Sequence, residues 1–211
     1  MFLCLIKGFL ININKIRLEF QHEDDQMRVI AGSRRSLPLK TLEGDATRPT
    51  ADKYKETLFN CLQMDVPGAV ILDLFAGSGS IGIEALSRGA ERAVFVENSK
   101  DAINIIKHNI HFTKFENESE IIRSDALTYL RRLSRVDFDL IYIDPPYGNG
   151  LEKEAVMILD SLEFKNKDVK IILESRADED YEFIDDTGFM IYKIKNYKTN
   201  KHIFLCLKEN E

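Results

Sequence analysis

With 211 residues, 44% of them apolar and 30% charged, the chain has the length for one substantial core and is short for two. No apolar run is long enough to cross a bilayer, and a net charge of −6 argues against broad, charge-driven attachment to nucleic acid. Three cysteines (Cys4, Cys61 and Cys206) lack metal or disulfide spacing, and the four histidines are scattered, so a reducing compartment and no metal site are expected.

Residues 1–26 open on Met1-Phe2-Leu3-Cys4-Leu5-Ile6, which resembles a weak signal peptide interrupted by Lys7 and Lys15 and followed by no small-residue cleavage site. The preferred reading is a non-native extension ahead of Met27 as the true initiator, with Glu23-Asp24 encoded by a purine-rich, ribosome-binding-like stretch. Such an extension is expected to be poorly packed or disordered. Residues 27–42 read as short strands with turn signals. Thr50 is the expected cap of a helix that sets Tyr54, Leu58, Phe59 and Leu62 on one side. Within residues 27–60, seven basic residues (Arg28, Arg34, Arg35, Lys40, Arg48, Lys53, Lys55) face four acids (Glu43, Asp45, Asp52, Glu56), a local charge of +3 suited to phosphate contacts.

Five strand–helix alternations follow: 70–75 with 79–88, 92–96 with 99–111, 119–122 with 126–134, 138–143 with 151–162, and 169–174 with a short 178–185 element. Asn98 or Ser99 caps the second of these helices, whose Ala102, Ile103, Ile106 and Ile110 face inward. Strands at 189–195 and 202–207 flank a polar turn at Lys198-Thr199-Asn200 and form a hairpin at the sheet edge. Repeated units of this kind predict an α/β fold, a mostly parallel sheet with helices on both faces and one antiparallel strand from the hairpin.

Two motifs carry chemistry. The first is Gly77-x-Gly79-x-x-Gly82 after the buried run Val70–Phe75, followed by Glu97 about twenty residues on, a pattern that also fits a dinucleotide site. Glycines let the backbone approach a ligand, the helix N-terminus presents unpaired N–H groups, and Glu97 can take both hydroxyls of a ribose. Asp73 ahead of the glycines would repel a pyrophosphate but suits an ammonium, and Asp125 follows a third apolar run, so S-adenosylmethionine is favoured over NAD. The second motif is Asp144-Pro145-Pro146-Tyr147, ending the apolar run 138–143. It places a carboxylate, a carbonyl with no N–H beside it and an aromatic face at the carboxyl edge of the sheet, where such sheets bind ligands. Asp144 and the Pro145 carbonyl can accept from an exocyclic amine, and Tyr147 can stack on a base for about 1–3 kcal/mol. The plain alternative is a strand followed by a rigid Pro-Pro turn.

The tetrapeptide resembles the signature of methyltransferases that alkylate exocyclic nitrogens of nucleobases. Together with Met27–Gly32, Thr47-Arg48-Pro49-Thr50-Ala51-Asp52, Lys55–Asn60 and Leu72–Ala90, it makes the span 27–207 similar to the bacterial RsmD-type methyltransferases, which modify N2 of a guanine in 16S rRNA. The resemblance implies a class I, Rossmann-like methyltransferase domain over 27–211, with a small RNA-facing β/α extension at 27–62 and a catalytic core at 68–211. It implies S-adenosylmethionine bound by Asp73, Phe75, Gly77, Gly79, Glu97, Asp125 and Ala126, and catalysis by Asp144, Pro145 and Tyr147. Arg48, Thr50, Pro146 and Tyr147 would shape the substrate side. The implied substrate is 16S rRNA, within the 30S subunit or a late assembly particle, met by a cytoplasmic monomer with no metal and no membrane. A DNA adenine or cytosine amino-methyltransferase and a non-catalytic rRNA-binding assembly factor are the other readings. Lys198 stands where the family usually has glycine after the hairpin tyrosine, which leaves the turn geometry to be seen.

Overall fold

The computed structural model describes residues 27–42 and 49–209. Residues 1–26, Arg48 and the side chain of Thr50, on which expectations rested, lie outside the described residues. Helix α1 spans Pro49–Cys61, and the core then alternates β1 (Val70–Asp73), α2 (Ser80–Ser87), β2 (Arg92–Glu97), α3 (Lys100–Thr113), β3 (Ser119–Arg123), α4 (Ala126–Arg132), β4 (Leu140–Ile143), α5 (Leu151–Asp160) and β5 (Lys170–Arg176). A 3₁₀ turn at Glu182–Asp186 precedes β6 (Phe189–Asn196) and β7 (Asn200–Leu207). Pro49 is the first residue of α1, so Thr50 falls inside its first turn and is not the expected cap; a proline suits this place because its missing N–H would be unpaired there anyway. Ser99 does cap α3, its hydroxyl accepting from Ala102 N at 3.3 Å.

The strands form one sheet in the order β3-β2-β1-β4-β5-β7-β6. Pairs from β3 to β5 are parallel, and β7 runs antiparallel to both β5 and β6. The hairpin closes the sheet as expected, but its second strand inserts between β5 and the first, leaving β6 at the edge. Lys198 needs no special backbone: among the described residues only Ser36 and Lys114 combine a side chain with positive φ.

Period-two alternation divides the strand side chains between two cores. Val94, Val96, Ile141 and Ile143 face α4 and α5, while Ala93, Phe95, Leu140 and Tyr142 face α1, α2 and α3. Each fully buried large side chain contributes about 1.5–3 kcal/mol, so a sheet covered on both faces is the stable arrangement.

Residues 27–42 belong to the second core through Val29 and Leu39. The strands expected there reduce to one bridge between Arg28 and Pro38, because the chain turns at Ser36, φ 68°, and hands its polar groups to side chains. Glu84, fully buried, accepts from Ile30 N at 2.7 Å, Ala31 N at 3.0 Å and Arg88 Nε at 2.7 Å. Gly32 permits this docking: its φ is +83°, and a Cβ there would lie 1.8 Å from the Ser87 carbonyl oxygen. Asn109 joins the same segment to the glycine loop, accepting from Lys40 N at 2.8 Å and donating to the carbonyls of Lys40 and Ser78, each at 2.9 Å.

Candidate active site at the carboxyl edge of the sheet

The strand order reverses between β1 and β4, and the crevice outside their carboxyl ends is where open α/β sheets take ligands. A cleft of about 480 Å³ opens there, within the range typical of small-molecule sites. It brings together Phe75, Gly77, Glu97, Asp125 and Ala126 with Asp144, Pro145, Pro146 and Tyr147, residues drawn from the ends of β1, β2, β3 and β4.

Glu97 is held by backbone donors: Gly77 N at 2.9 Å on one oxygen, Asn98 N and Ser99 N, both at 2.8 Å, on the other. The carboxylate is thereby fixed at the cleft wall and pinned to the glycine loop. Asp125 caps α4, accepting from Thr128 N at 2.8 Å, and that backbone bond holds its carboxyl below the usual range.

Asp73 and Gly79 stand back from this wall. Asp73 is 2% exposed and accepts from Gly82 N at 3.1 Å, so it props the loop from beneath; burial, opposed by that bond, and the charge of Glu97 push its pKa up to about 7. Gly79 holds φ +76° at the start of α2, where a Cβ would come within 3.3 Å of Ile106 and Phe95.

Asp144 also lines a second cavity, about 190 Å³, on the side of α1. A water's share of liquid volume is about 30 Å³, so this space is several times larger than one water needs. Burial, then the charges of Glu174 and Asp73, raise the Asp144 pKa well above the ordinary carboxylate range. Glu174 behaves oppositely. Burial pushes it up, but hydrogen bonds from His202, Tyr142 and Asn200 outweigh that and keep it below its usual value. Tyr142 Oη donates to Glu174 at 2.5 Å, Asn200 Nδ2 at 2.6 Å and His202 Nε2 at 3.3 Å. An ionised Glu174 offers only acceptors, so His202 donates to it from Nε2, and its Nδ1 meets Tyr197 Oη at 2.9 Å. Tyr197 in turn packs on Tyr54 of α1, ring centroids 4.2 Å apart, closing the cavity's rim.

Sequence reasoning missed Glu174, Tyr142, His202 and Lys55, all of which line this second cavity. Glu174 did carry a signal, as an acid near the end of an apolar strand; His202 and Tyr142 were masked by strand alternation. The basic segment also needs correction. Lys55 is 5% exposed, Arg34 Nε donates to the Thr113 carbonyl at 2.7 Å, and Arg28 pairs with Asp52 at 3.1 Å. Among the described residues, Arg35, Lys40 and Lys53 remain exposed with Arg28, a thinner positive surface than the count implied.

The chain's residues 27–206 match the family model described as Conserved hypothetical protein 95. The Haemophilus influenzae protein named Ribosomal RNA small subunit methyltransferase D is 34% identical, over 77% of this chain and 86% of that protein. The Escherichia coli K12 protein of the same name is 32% identical, over 72% and 76%. Among solved structures, Haemophilus influenzae HI0767 superposes with a TM-score of 0.74 at 30% identity, covering 87% of this chain and 99% of that one. Escherichia coli yhhF gives 0.75 at 26%, covering 88% and 99%. A cleft at the β1–β4 reversal, an acid shared by two cavities and a match over most of the length agree: the chain belongs to the Conserved hypothetical protein 95 family, the RsmD family of class I methyltransferases.

Proposed function

We propose that this protein transfers a methyl group from S-adenosylmethionine to the exocyclic N2 of a guanine in 16S rRNA, acting as a monomer in the cytoplasm on the 30S subunit or a late assembly particle. The observation that carries the reading is Asp144, one carboxyl group lining both the large cleft and the smaller cavity. A two-substrate reaction needs such a junction, because the reacting atoms must be held in line at near-attack distance. The names of the Haemophilus influenzae and Escherichia coli relatives support rRNA of the small subunit as substrate.

The donor set of the large cleft fits the cofactor: Glu97 for ribose hydroxyls, Asp125 for the adenine amine, and the Gly77 backbone beside the methionine half. Once bound there, S-adenosylmethionine supplies a methyl group activated on a sulfonium. Asp144 is biased toward its protonated form by burial and by Glu174, and a positive charge in the adjoining cleft favours its ionisation. Asp144 and the Pro145 carbonyl then accept the two N2 hydrogens and orient the nitrogen lone pair. As nitrogen becomes cationic, Asp144 receives the proton, a role for which a raised pKa suits it. Tyr147, 48% exposed at the cleft mouth, offers a face for the base turned out of its stack. Arg28, Arg35 and Lys53 border a surface hollow suited to RNA phosphates.

Incubation with tritiated cofactor and undermodified 30S particles, naked 16S rRNA or duplex DNA tests the reading. Label at one guanine N2 in the particle is expected. Transfer to duplex DNA, or cofactor binding with no transfer to any substrate, would overturn it.

A further inference from the structure

We propose that Lys55 is a specificity-determining residue that donates a hydrogen bond to the O6 carbonyl of the target guanine. The inference rests on the reading of guanine N2 as the methylated atom and adds the group that distinguishes this base from other amino-bearing bases. A guanine edge presents N2–H2 and N1–H as donors and O6 as an acceptor. The smaller cavity supplies acceptors in Asp144 and Glu174 and must supply a donor for O6.

Five side chains of its wall carry donors: Tyr54, Lys55, Ser80, Tyr142 and His202. Both His202 nitrogens are spent on Glu174 and Tyr197 and the Tyr142 hydroxyl on Glu174, while Tyr54 and Ser80 offer neutral hydroxyls, weaker donors to a carbonyl than an ammonium. Lys55 is buried, 5% exposed, and an ammonium carries three hydrogens. One is used on the Arg28 carbonyl at 2.6 Å. Its acidic neighbours are already served: Glu84, at 3.7 Å, pairs with Arg88 at 2.7 Å and accepts from two backbone N–H groups, and Asp52 pairs with Arg28 at 3.1 Å. A buried ammonium whose structural duty is covered by a closer arginine has hydrogens left for the cavity it lines. Burial also disfavours its charged state, a cost that an incoming carbonyl oxygen offsets. Adenine, cytosine and 2,6-diaminopurine would instead present an amine to the ammonium, donor against donor, and leave both unpaired.

The test uses the protein on reconstituted 30S particles whose mapped target is guanine or 2,6-diaminopurine, which keeps the N2 amine, replaces O6 by an amine and turns N1 from a donor into an acceptor. Wild type is expected to favour guanine in kcat/KM by about 30-fold or more, the worth of one charge-assisted hydrogen bond. Lys55→Met should cut transfer to guanine by a similar factor and narrow the gap between the two substrates by as much, while calorimetric affinity for S-adenosylmethionine stays within about twofold. Lys55→Arg, which keeps a cation over Glu84, should recover part of the preference for guanine. Wild-type parity between the two bases overturns the proposal without recourse to any variant. Undiminished preference in Lys55→Met overturns it for Lys55 alone, whereas absence of methylation at guanine N2 by wild type overturns it together with the reading beneath it.

Discussion

Asp73→Asn probes the carboxylate beneath the glycine loop. Asp73 is 2% exposed, and the Gly82 N–H at 3.1 Å is its hydrogen-bond partner among the described residues. Its pKa stands at about 7 against an ordinary 3.8, chiefly through burial. In that interval the folded protein holds a proton that the unfolded chain has released. Its stabilising effect is therefore fully present below pH 3.8 and lost as pH rises through about 7. At 1.36 kcal/mol per pH unit, the full interval is worth about 4 kcal/mol, of which about 3 kcal/mol falls between pH 5 and 8.5. Asparagine can still accept from Gly82 and carries a constant cost for its unpaired amide, but no titration. Melting both proteins at about pH 5 and about pH 8.5 should shift the stability difference toward the variant by about 3 kcal/mol, or roughly 6–12 °C. Excess cofactor at the higher pH should then stabilise wild type more than the variant, because the wild-type carboxylate gains a cation nearby. A variant-minus-wild-type difference that does not change with pH would refute the buried-acid argument.

Asp144→Ala should lower turnover by orders of magnitude while calorimetric cofactor affinity is largely kept; near-normal turnover removes the role given to that acid. Glu174→Gln deletes the charge that most raises Asp144 after burial itself, so the acid limb of the kcat–pH profile should move to lower pH; a limb that stays or rises refutes the coupling. Gly82→Ala sets a Cβ 2.3 Å from the Phe95 ring, an overpacking worth about 1–3 kcal/mol, and should appear as a lower denaturation midpoint with an unchanged m-value.

Residues such as Gly77, Glu97, Asp125 and Asp144 were legible because each sits at the end of an apolar strand, and strand ends in a parallel sheet share one edge. That rule needs no knowledge of which strands are neighbours. Glu174 and His202 obey the same rule only in part, since their meeting depends on β7 entering between β5 and β6, a register set by packing and invisible along the chain. Lys55 is harder still. A lysine on an amphipathic helix reads as solvated, and only the docking of residues 27–39 through Glu84 and Gly32 buries it against the cavity. Asp73 shows the converse, since its place just ahead of the glycines does not put its carboxylate on the cleft surface: it accepts from Gly82 N beneath the loop and is not among the residues lining the cleft. On the proposed function, cofactor chemistry would thus be written in local motifs, whereas the choice of base would depend on groups that only tertiary packing assembles. Substitutions at Glu97 or Asp125 should accordingly weaken cofactor binding for every substrate alike, and those at Lys55 or Glu174 should alter which base is accepted or at what pH.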